Sequence, residues 1–438
     1  MKKMKETEID WIGEIPHDWE LKHFKYIVKE KVDNRGRTPE INENNVGIPI
    51  IELDAIGEKI PEVKKASKFI SDKSYKKYIR KDLKSGDVLF GTVGSVGKCS
   101  IVPEKFDYCI AQNIVGYRFD NHQNSLFWFY YFKSEPFYQM YMQFNKGNIQ
   151  DSIKISDMER GIVVVPPLKE QELIADFLDN KVEKIDDILN NLNKQVEILK
   201  KYKKSLITEI VTKGLNPAAK MKDSGINWIG KIPENWEIKK LKYLGTARNG
   251  LTYSPESQVD EGTLVMRSSN IQDGKLIFED NVYVDMRIPE NIILRENDLL
   301  ICSRNGSRNL IGKNALISKD YVGQTYGAFM CVYRSKYNEF IHYVLNSDIF
   351  SYYLGSFLTS TINQLTNDNL YSIETPFPLD EKERREIVEF LDKKSTQIDE
   401  IIKDKQNQID KMEKYKKSLI YEYVTGKKRV KGAEELYV

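Results

Sequence analysis

An internal repeat constrains this fold more than any other feature of the sequence. The nonapeptide Trp11–Trp19 (WIGEIPHDW) returns as Trp228–Trp236 (WIGKIPENW), close to half a chain length later. Near the end of each half, FLD at 177–179 and YKKSLI at 202–207 recur at 390–392 and 415–420. One chain therefore holds two copies of one module, which suits a roughly two-fold target or two copies of a partner.

The length and composition are those of an ordinary globular protein. At about 100 to 200 residues per domain, 438 residues allow two sizeable cores and connecting elements. The chain has 67 basic and 65 acidic side chains, and its net charge of +2 neither requires nor excludes a nucleic-acid partner. Any basic face must therefore be local.

The sequence has no pattern typical of a membrane span or a metal site. No stretch approaches the roughly 20 apolar residues of a spanning helix, and the N-terminus leads directly into charged residues. We therefore expect a cytoplasmic protein. The four cysteines form no CxxC pair and the four histidines do not cluster, so we predict buried reduced thiols and no metal site.

A glycine-rich stretch, Gly91–Cys99, resembles a phosphate-binding loop but lacks two of its required residues. Thr92 stands where such a loop needs glycine, and Cys99 stands where it needs Ser or Thr. We predict a turn between two strands instead, with Lys98 and Lys313 of the second half able to meet an anion. The scattered histidines offer no convergent base, so we predict no catalytic residues.

Each half reads as a mixed α/β globule between its opening segment and a closing helix. Short apolar runs broken by Gly, Asn and Asp predict strands joined by turns. The aromatic-rich segments 125–144 and 340–357 predict helices, and 214–225 predicts a linker. We expect the tryptophans of the opening segments to anchor them in the globules. The predicted divisions are 1–166 and 216–377 for the globules, and 167–215 and 378–431 for the long helices.

Both closing helices hold an apolar stripe at heptad spacing for some 40 residues without an internal Pro or Gly. A helix of about 45 residues is roughly 65 Å long, so another element must cover its stripe. We expect the two helices to pair antiparallel; the alternative is that each folds back on its own globule. Ser395 and Lys405 interrupt the second stripe. The seam residues are Val182, Ile185, Leu189, Leu192, Val196, Leu199 and Leu206 in the first helix, and Ile398, Ile402, Ile409, Met412 and Leu419 in the second.

The repeated segments occur in the same order in both halves. In this arrangement the chain resembles, over nearly its full length, the specificity subunit of type I restriction-modification systems. The second copy departs slightly at 381–386, where the approach to Phe390 is longer than in the first copy. This difference affects the local register of the helix start. The resemblance is carried by the two opening segments, by Pro167–Gln171 with Ile174–Asp179, and by Ile185, Asp186 and Lys201–Ile207 leading to Val211 and Thr212.

The resemblance implies two α/β target-recognition domains, separated by two long helices that form an antiparallel coiled coil with an internal pseudo-two-fold repeat. Each domain would read one half of a split double-stranded DNA site, and the helices would set the gap and dock two methyltransferase subunits. Those subunits would bind S-adenosylmethionine, and a motor-nuclease subunit, where one joins, would use ATP and Mg²⁺. The alternative is a coiled-coil scaffold that binds partners without reading DNA.

The regions 29–165 and 245–375 differ between the copies, so we expect two different half-sites. Base edges are read mainly by Arg, Lys, Asn and Gln, and phosphates by Lys, Arg and hydroxyl groups, so we select such residues on polar turns. For each residue the alternative is a solvated loop side chain. The candidates are Asn34, Arg35, Arg37, Ser95, Lys98, Lys146, Asn148 and Gln150 in the first half, and Arg248, Asn249, Arg267, Ser268, Ser269, Asn270, Arg304, Asn305, Arg308, Lys313, Asn363 and Gln364 in the second.

Four tyrosines and two basic runs are further candidates for binding. The runs 200–204 and 414–417 could bind phosphates or an acidic partner face, or serve as solvated helix faces. The tyrosines could stack on bases, although most of the 25 tyrosines are expected in cores. These four are Tyr75, Tyr108, Tyr321 and Tyr326.

Overall fold

The chain forms two compact units. Unit 1 comprises Met1–Leu192 and Asn407–Val438, and unit 2 comprises Asn193–Gln406. The division falls inside both long helices, so each unit contains one globule and part of each helix, whereas the sequence division kept each helix whole. A computed structural model describes residues 3–42, 44–94, 96–144, 152–358 and 363–430.

Unit 1 opens with short strands, builds a mixed α/β globule and ends in a long helix. Its strands are β1 (Met4–Glu6), β2 (Glu14–Pro16), β3 (Glu20–His23), β4 (Val28–Val32), β5 (Ile48–Ile51), β6 (Lys68–Ile70), β7 (Val88–Gly91), β8 (Cys99–Ile101), β9 (Cys109–Ile110), β10 (Ile114–Phe119) and β11 (Ile162–Val165). Its helices are α1 (Asp72–Tyr78), α2 (Ser125–Phe132), α3 (Glu135–Met142), α4 (Ile155–Arg160), the first part of α5 (Leu168–Lys213) and the second part of α9 (Glu381–Val424).

Unit 2 repeats this order of elements after the second part of α5. Its strands are β12 (Met221–Asp223), β13 (Lys231–Pro233), β14 (Trp236–Lys240), β15 (Thr246–Asn249), β16 (Gln258–Val259), β17 (Thr263–Met266), β18 (Ile271–Gln272), β19 (Lys275–Leu276), β20 (Tyr283–Val284), β21 (Leu299–Cys302), β22 (Asn314–Leu316), β23 (Thr325–Tyr326), β24 (Met330–Arg334) and β25 (Glu374–Pro378). Its helices are α6 (Asn338–Val344), α7 (Asp348–Phe357), α8 (Asn367–Ser372) and the first part of α9 (Glu381–Val424).

A four-stranded antiparallel sheet forms the centre of each globule. The strand order is β4-β10-β7-β8 in unit 1 and β15-β24-β21-β22 in unit 2. A smaller sheet accompanies each one, β6-β5-β9 in unit 1 and β16-β20-β17-β23 in unit 2. In both smaller sheets one pair of strands is parallel, β5 with β9 and β17 with β23. The two globules share the topology of the central sheet, as the sequence repeat predicts, and unit 2 has one more strand in its smaller sheet.

The inner strands of both central sheets, β7, β10, β21 and β24, are buried on both faces, and successive residues along them point to opposite sides. In unit 1, Phe90 packs among the aromatic side chains of α2 and α3, and Leu89 packs in a second core with Ile51. In unit 2, Ile301 and Leu300 divide in the same way between two cores. This double burial accounts for the continuous apolar runs from which the strands were predicted.

Two of the predicted helices are each divided, and the predicted linker contains a strand. Pro136 at the start of α3 lacks the N–H that a continuous helix from α2 would need. The Ser347 hydroxyl accepts the Ile349 N–H at 3.2 Å and starts α7 anew after α6. Within 214–225, Met221–Asp223 pairs antiparallel with β13. The predictions of one helix over 125–144 and one over 340–357 were therefore wrong, because each segment forms two helices, and the predicted linker contains β12.

Each opening segment is anchored by a buried tryptophan, as predicted. Trp19 and Trp236 are both 0% exposed. Trp19 Nε1 donates to Glu170 Oε2 at 2.9 Å, and Trp236 Nε1 donates to Glu383 Oε1 at 2.9 Å. Each accepting carboxylate lies in the first turn of a long helix. The repeated tryptophan therefore fixes the start of a long helix to the globule.

A glycine in the left-handed region follows the end of each long helix. Gly214 has φ +74° after α5, and Gly426 has φ +72° after α9. A Cβ added to Gly214 would lie 3.2 Å from the Trp236 ring, and one added to Gly426 would lie 2.5 Å from Pro16. Both helix ends thus need glycine for its backbone conformation and for close contact with an opening segment.

Within each unit, the two long helices pair antiparallel. In unit 1, the Phe177 and Tyr423 rings have centroids 4.5 Å apart, and Lys416 Nζ lies 2.6 Å from Asp186 Oδ1. In unit 2, Lys203 Nζ lies 2.7 Å from Asp399 Oδ1, which is the same ion pair at the corresponding positions of the repeat. Every seam residue proposed from the heptad pattern is buried or half-buried. This register places Lys203 and Lys416 at seam positions, where polar residues specify alignment.

Candidate DNA interface

One edge of the central sheet of unit 2 gathers several polar loops. The main-chain N–H groups of Ser303 and Arg304 both donate to the Phe329 carbonyl at 3.0 Å. The Leu365 N–H donates to the Ser303 carbonyl at 2.8 Å, and Arg304 pairs with Gln364 as an isolated β-bridge. The loop after β21, the turn before β24 and the segment before α8 are thus held against one another.

Several residues predicted to contact DNA meet at this edge. Asn305 Nδ2 donates to Ser268 Oγ at 3.1 Å, and Asn363 Nδ2 donates to the Gly306 carbonyl at 3.5 Å. Asn249 is exposed at the end of β15, the strand beside β24. We call these residues, together with Phe329, loop edge 2; the full set is Arg248, Asn249, Ser268, Ser269, Arg304, Asn305, Phe329, Asn363 and Gln364.

The same arrangement of main-chain hydrogen bonds and an isolated β-bridge recurs in unit 1, and we call this arrangement the backbone frame. The Thr92 N–H donates to the Asn113 carbonyl at 2.9 Å, and the Ile153 N–H donates to the Thr92 carbonyl at 2.8 Å. Val93 forms an isolated β-bridge with Ser152, as Arg304 does with Gln364. We call the corresponding edge of unit 1 loop edge 1. It consists of Arg35, Arg37, Leu53, Val93, Lys98, Gln112, Asn113 and Ser152.

Side-chain contacts bring two of the predicted residues of unit 1, Arg37 and Lys98, to loop edge 1. Gln112 Nε2 donates to the Arg37 carbonyl at 2.6 Å, and Lys98 Nζ donates to the Leu53 carbonyl at 3.3 Å. Lys98 lies in the connection between β7 and β8, so the glycine-rich stretch is a turn between two antiparallel strands, as predicted.

The two loop edges carry different side chains on matching backbone positions. The frame hydrogen bonds place Val93 of unit 1 where unit 2 has Arg304, and Asn113 where unit 2 has Phe329. An apolar side chain and an amide in one unit therefore correspond to a cation and an aromatic ring in the other. At these two positions the loop edges therefore offer different groups to a ligand.

The arginines predicted to contact DNA differ in how they are paired. Arg35 Nη2 lies 2.9 Å from Asp33 Oδ2. Burial raises the pKa of Asp33, but the hydrogen bonds from Arg35 outweigh this effect, so the pKa of Asp33 is lowered overall. Arg267 Nη2 lies 2.7 Å from Asp280 Oδ2. Arg248 and Arg304, by contrast, have no carboxylate within ion-pair distance in the described part of the chain. These two guanidinium groups of loop edge 2 are therefore not held by an ion pair within the described residues.

Two predicted contacts are corrected because the side chains are buried. Asn34 is 4% exposed, and its Nδ2 lies 3.4 Å from the Ile110 carbonyl to which it donates. Asn270 is 0% exposed, accepts the Arg267 N–H at 2.8 Å and donates to the Ile277 carbonyl at 3.1 Å. Both amides hold loops in place and cannot reach a base edge in this structure.

The other predicted contacts lie in varied surroundings. Arg37 Nη1 donates to the Lys77 carbonyl at 3.2 Å, and Arg308 Nη2 donates to the Leu358 carbonyl at 3.0 Å. Lys313 is half-buried beside β22. Ser95, Lys146, Asn148 and Gln150 lie outside the residues that the structure describes.

None of the four candidate tyrosines presents an open ring on a loop edge. Tyr108 and Tyr326 are 4% and 0% exposed. Tyr321 stacks on Phe278 with ring centroids 4.0 Å apart, and the Tyr75 hydroxyl donates to Asp82 Oδ1 at 2.7 Å. Their rings and hydroxyl groups therefore serve the globules.

Six residues of the loop edges were not predicted from the sequence, namely Gln112, Asn113, Phe329, Leu53, Val93 and Ser152. The first two form a polar pair between the apolar runs of β9 and β10, a turn signal that could have selected them. Phe329 is one of 18 phenylalanines, and nothing in its local sequence separates it from those of the cores. Only the tertiary structure brings it to the surface beside Arg304.

The described residues show neither a metal cluster nor a membrane span. No group of three or more His, Cys, Asp and Glu side chains within them is placed to hold a metal ion. None of the helices they form is long and apolar enough to cross a bilayer. All four cysteines are buried thiols, and burial raises the pKa of Cys99 to about 12.

The fold and its loop edges define a class of protein: a duplicated mixed α/β domain, with each copy joined to a long helix that pairs antiparallel with its counterpart. The chain belongs to the type I restriction modification DNA specificity domain family, whose model matches residues 16–198 and 233–411. The matched residues include both central sheets and most of both long helices.

Proteins of similar sequence include two specificity subunits. The chain is 30% identical over 256 residues to a Methanocaldococcus jannaschii protein named as the MjaX type I restriction enzyme specificity subunit, covering 55% of each chain. It is 27% identical over 175 residues to the EcoKI specificity subunit of Escherichia coli K12, covering 39% of this chain and 35% of that one. The chain thus spans about half the length, 55%, of the first of these relatives.

A solved structure shares the fold. It comes from work on complex assembly and conformational transition of the type I restriction-modification system, and it matches with a TM-score of 0.66 at 14% identity. The match covers 94% of this chain and 98% of the other.

Proposed function

We propose that this chain is the DNA sequence-recognition subunit of a type I restriction-modification complex. Each globule reads one half of an asymmetric, bipartite site in double-stranded DNA, and the long helices set the gap between the halves. The observation that carries the proposal is the pair of loop edges, which have one backbone frame and different side chains. Polar loops on a rigid sheet suit the reading of base edges.

The helices are proposed to dock two methyltransferase subunits. One heptad position, which flanks the seam and is exposed, is identical in both helices at four successive heptads. In unit 1 it exposes Ile188 (47%) and Tyr415 (52%), and in unit 2 it exposes Ile401 (45%) and Tyr202 (56%). Each unit therefore presents the same apolar pair, which suits two copies of one partner. The identical residues are Lys181 and Lys394, Ile188 and Ile401, Gln195 and Gln408, and Tyr202 and Tyr415.

The covalent chemistry is assigned to the partners. The methyltransferase subunits bind S-adenosylmethionine, and a motor-nuclease subunit, where the host has one, uses ATP and Mg²⁺. This chain acts in the cytoplasm as a non-catalytic subunit. The second candidate, a scaffold that binds partners without reading DNA, would use the same helix surface but would not need two different loop edges.

Co-expression with the partner methyltransferase tests the proposal. Sequencing of methylated adenines should give one split motif that depends on this chain. Gln112→Ala with Asn113→Ala should relax one half of the motif, and Arg304→Ala should relax the other half. Methylation without a split motif, or with both halves altered by one set of variants, would support the scaffold instead.

A further inference from the structure

An exposed aromatic ring stands at the tip of loop edge 2. Phe329 is 61% exposed, although its main chain is firmly held. It occupies the third position of a turn closed by the Met330 N–H, which donates to the Gly327 carbonyl at 2.8 Å. Its own carbonyl accepts the Ser303 and Arg304 N–H groups at 3.0 Å and the Ser303 hydroxyl at 2.9 Å. The ring is therefore presented to solvent from a rigid backbone.

A guanidinium group covers one face of this ring. Arg304 Cζ lies 5.4 Å from the Phe329 ring centroid, within the range of a cation–π contact. Arg304 has no carboxylate within ion-pair distance in the described part of the chain, so no ion pair there competes with the ring contact. The contact restricts the orientation of the planar donors before any ligand binds.

We infer that Arg304 and Phe329 together read a guanine and an adjacent thymine in the half-site of unit 2, an inference that rests on the proposed DNA-reading function. In the major groove, an arginine donates two hydrogen bonds to the O6 and N7 atoms of guanine. Thymine alone presents a methyl group there, and an apolar side chain contacts it. Stacked bases lie about 3.4 Å apart along a strand, so two side chains in contact reach neighbouring base pairs.

The structure favours methyl contact over two other uses of an exposed ring. A wedge inserted between base steps needs both ring faces free, and Arg304 covers one of them. A core role is excluded by the exposure of the ring. In unit 1 the corresponding side chains are Asn113 and Val93, so loop edge 1 lacks this pair and its half-site carries no such requirement.

Replacing single thymines by deoxyuridine tests the inference, because the substitution removes only the C5 methyl group. The probe is duplex DNA that carries the motif found for the wild-type complex with its methyltransferase. Replacing one particular thymine, which lies next to a guanine in one half-site, should lower the affinity of the complex for the probe about four-fold. This is the expected effect of losing one buried methyl group. Phe329→Ala should bind thymine and deoxyuridine probes equally, and Phe329→Leu should keep part of the difference.

Arg304→Ala should lower affinity about ten-fold or more and relax the choice of base at the neighbouring guanine. Tyr243→Ala is the matched control, because Tyr243 is 71% exposed with Lys242 Nζ 4.7 Å from its ring centroid, but precedes β15 at the opposite end of the sheet. This variant should keep the wild-type response to deoxyuridine.

Three results would overturn the inference. They are a half-site without thymine beside guanine, equal wild-type binding to thymine and deoxyuridine probes, and a Phe329→Ala complex that still distinguishes the probes. A wild-type complex that recognises no split motif would instead refute the proposed function itself. Unchanged assembly of the variants with the methyltransferase excludes a folding defect.

Discussion

Replacing Glu170 with Gln removes a negative charge from the interior of unit 1, and we expect a large loss of stability there. Glu170 is 0% exposed and accepts the Trp19 Nε1–H. Arg429, near the end of the chain, places its Nε 2.9 Å from Glu170 Oε1 and its Nη2 2.7 Å from Asp18 Oδ2. The carboxylate thus ties the opening segment, α5 and the segment after α9 together.

The expected magnitude follows from this burial. Removing one partner of a buried ion pair costs about 3–5 kcal/mol, and Gln keeps an acceptor for Trp19, so we expect a loss of about 2–4 kcal/mol. Glu383→Gln in unit 2 is the matched control. Glu383 accepts from Trp236 and Asn235 but has no arginine partner among the described residues, so its loss should be about 1 kcal/mol.

Hydrogen-exchange mass spectrometry can measure the two effects separately, because peptides from each unit report their own opening free energies. Glu170→Gln should weaken protection around the opening segment of unit 1 and leave unit 2 unchanged. Arg429→Ala should act on the same peptides, and the double variant should lose less than the sum of the two single variants. Equal losses for the Glu170 and Glu383 variants, or a loss under about 1 kcal/mol for Glu170→Gln, would refute this reasoning.

Three further predictions concern unit 2, the helix seam and the partners. Burial lowers the pKa of His342 to about 4, so the native imidazole stays neutral while the unfolded one takes up a proton below about pH 6.5. Unit 2 should therefore lose about 3 kcal/mol as the pH falls from about 6.5 to about 4, and His342→Gln should flatten this profile in thermal denaturation. Ile409→Ala, at a seam position 3% exposed, should cost about 2–5 kcal/mol in chemical denaturation, whereas Ile401→Ala, 45% exposed, should cost under about 1 kcal/mol. Tyr415→Ala and Tyr202→Ala should each remove one bound methyltransferase subunit by native mass spectrometry, and loss of both subunits from either single variant would contradict two separate docking sites.

The repeat and the heptad pattern made the helices and their pairing predictable. The heptad period alone was enough to identify the seam residues. In the structure, the ion pairs of Lys203 with Asp399 and of Lys416 with Asp186 define the register of the two helices. The contacts that fix the globules to the helices were not predictable in this way. Glu170 and Glu383 stand in charged helix starts like many others, and only folding places a tryptophan N–H against each of them.

The candidate DNA contacts show a similar limit. Polar residues on turns could be selected from the sequence, but their availability could not. Arg35 and Arg267 turned out to be held by acidic neighbours, Asn270 is buried as a loop support, and Phe329 is exposed. Pairing and burial depend on residues distant in the chain, so local composition carries little information about them.

The sequence alone determined that this protein has two copies of one α/β module and two long amphipathic helices, because a repeat and a heptad period are properties of residue order. It also identified the family through segments that recur in a fixed order. The tertiary structure decided which side chains face outward at the loop edges and which of them are already engaged by a neighbour. The exposure and pairing of these side chains depend on the packing against both faces of the sheets and on main-chain hydrogen bonds between distant loops. Residue order alone does not reveal these contacts.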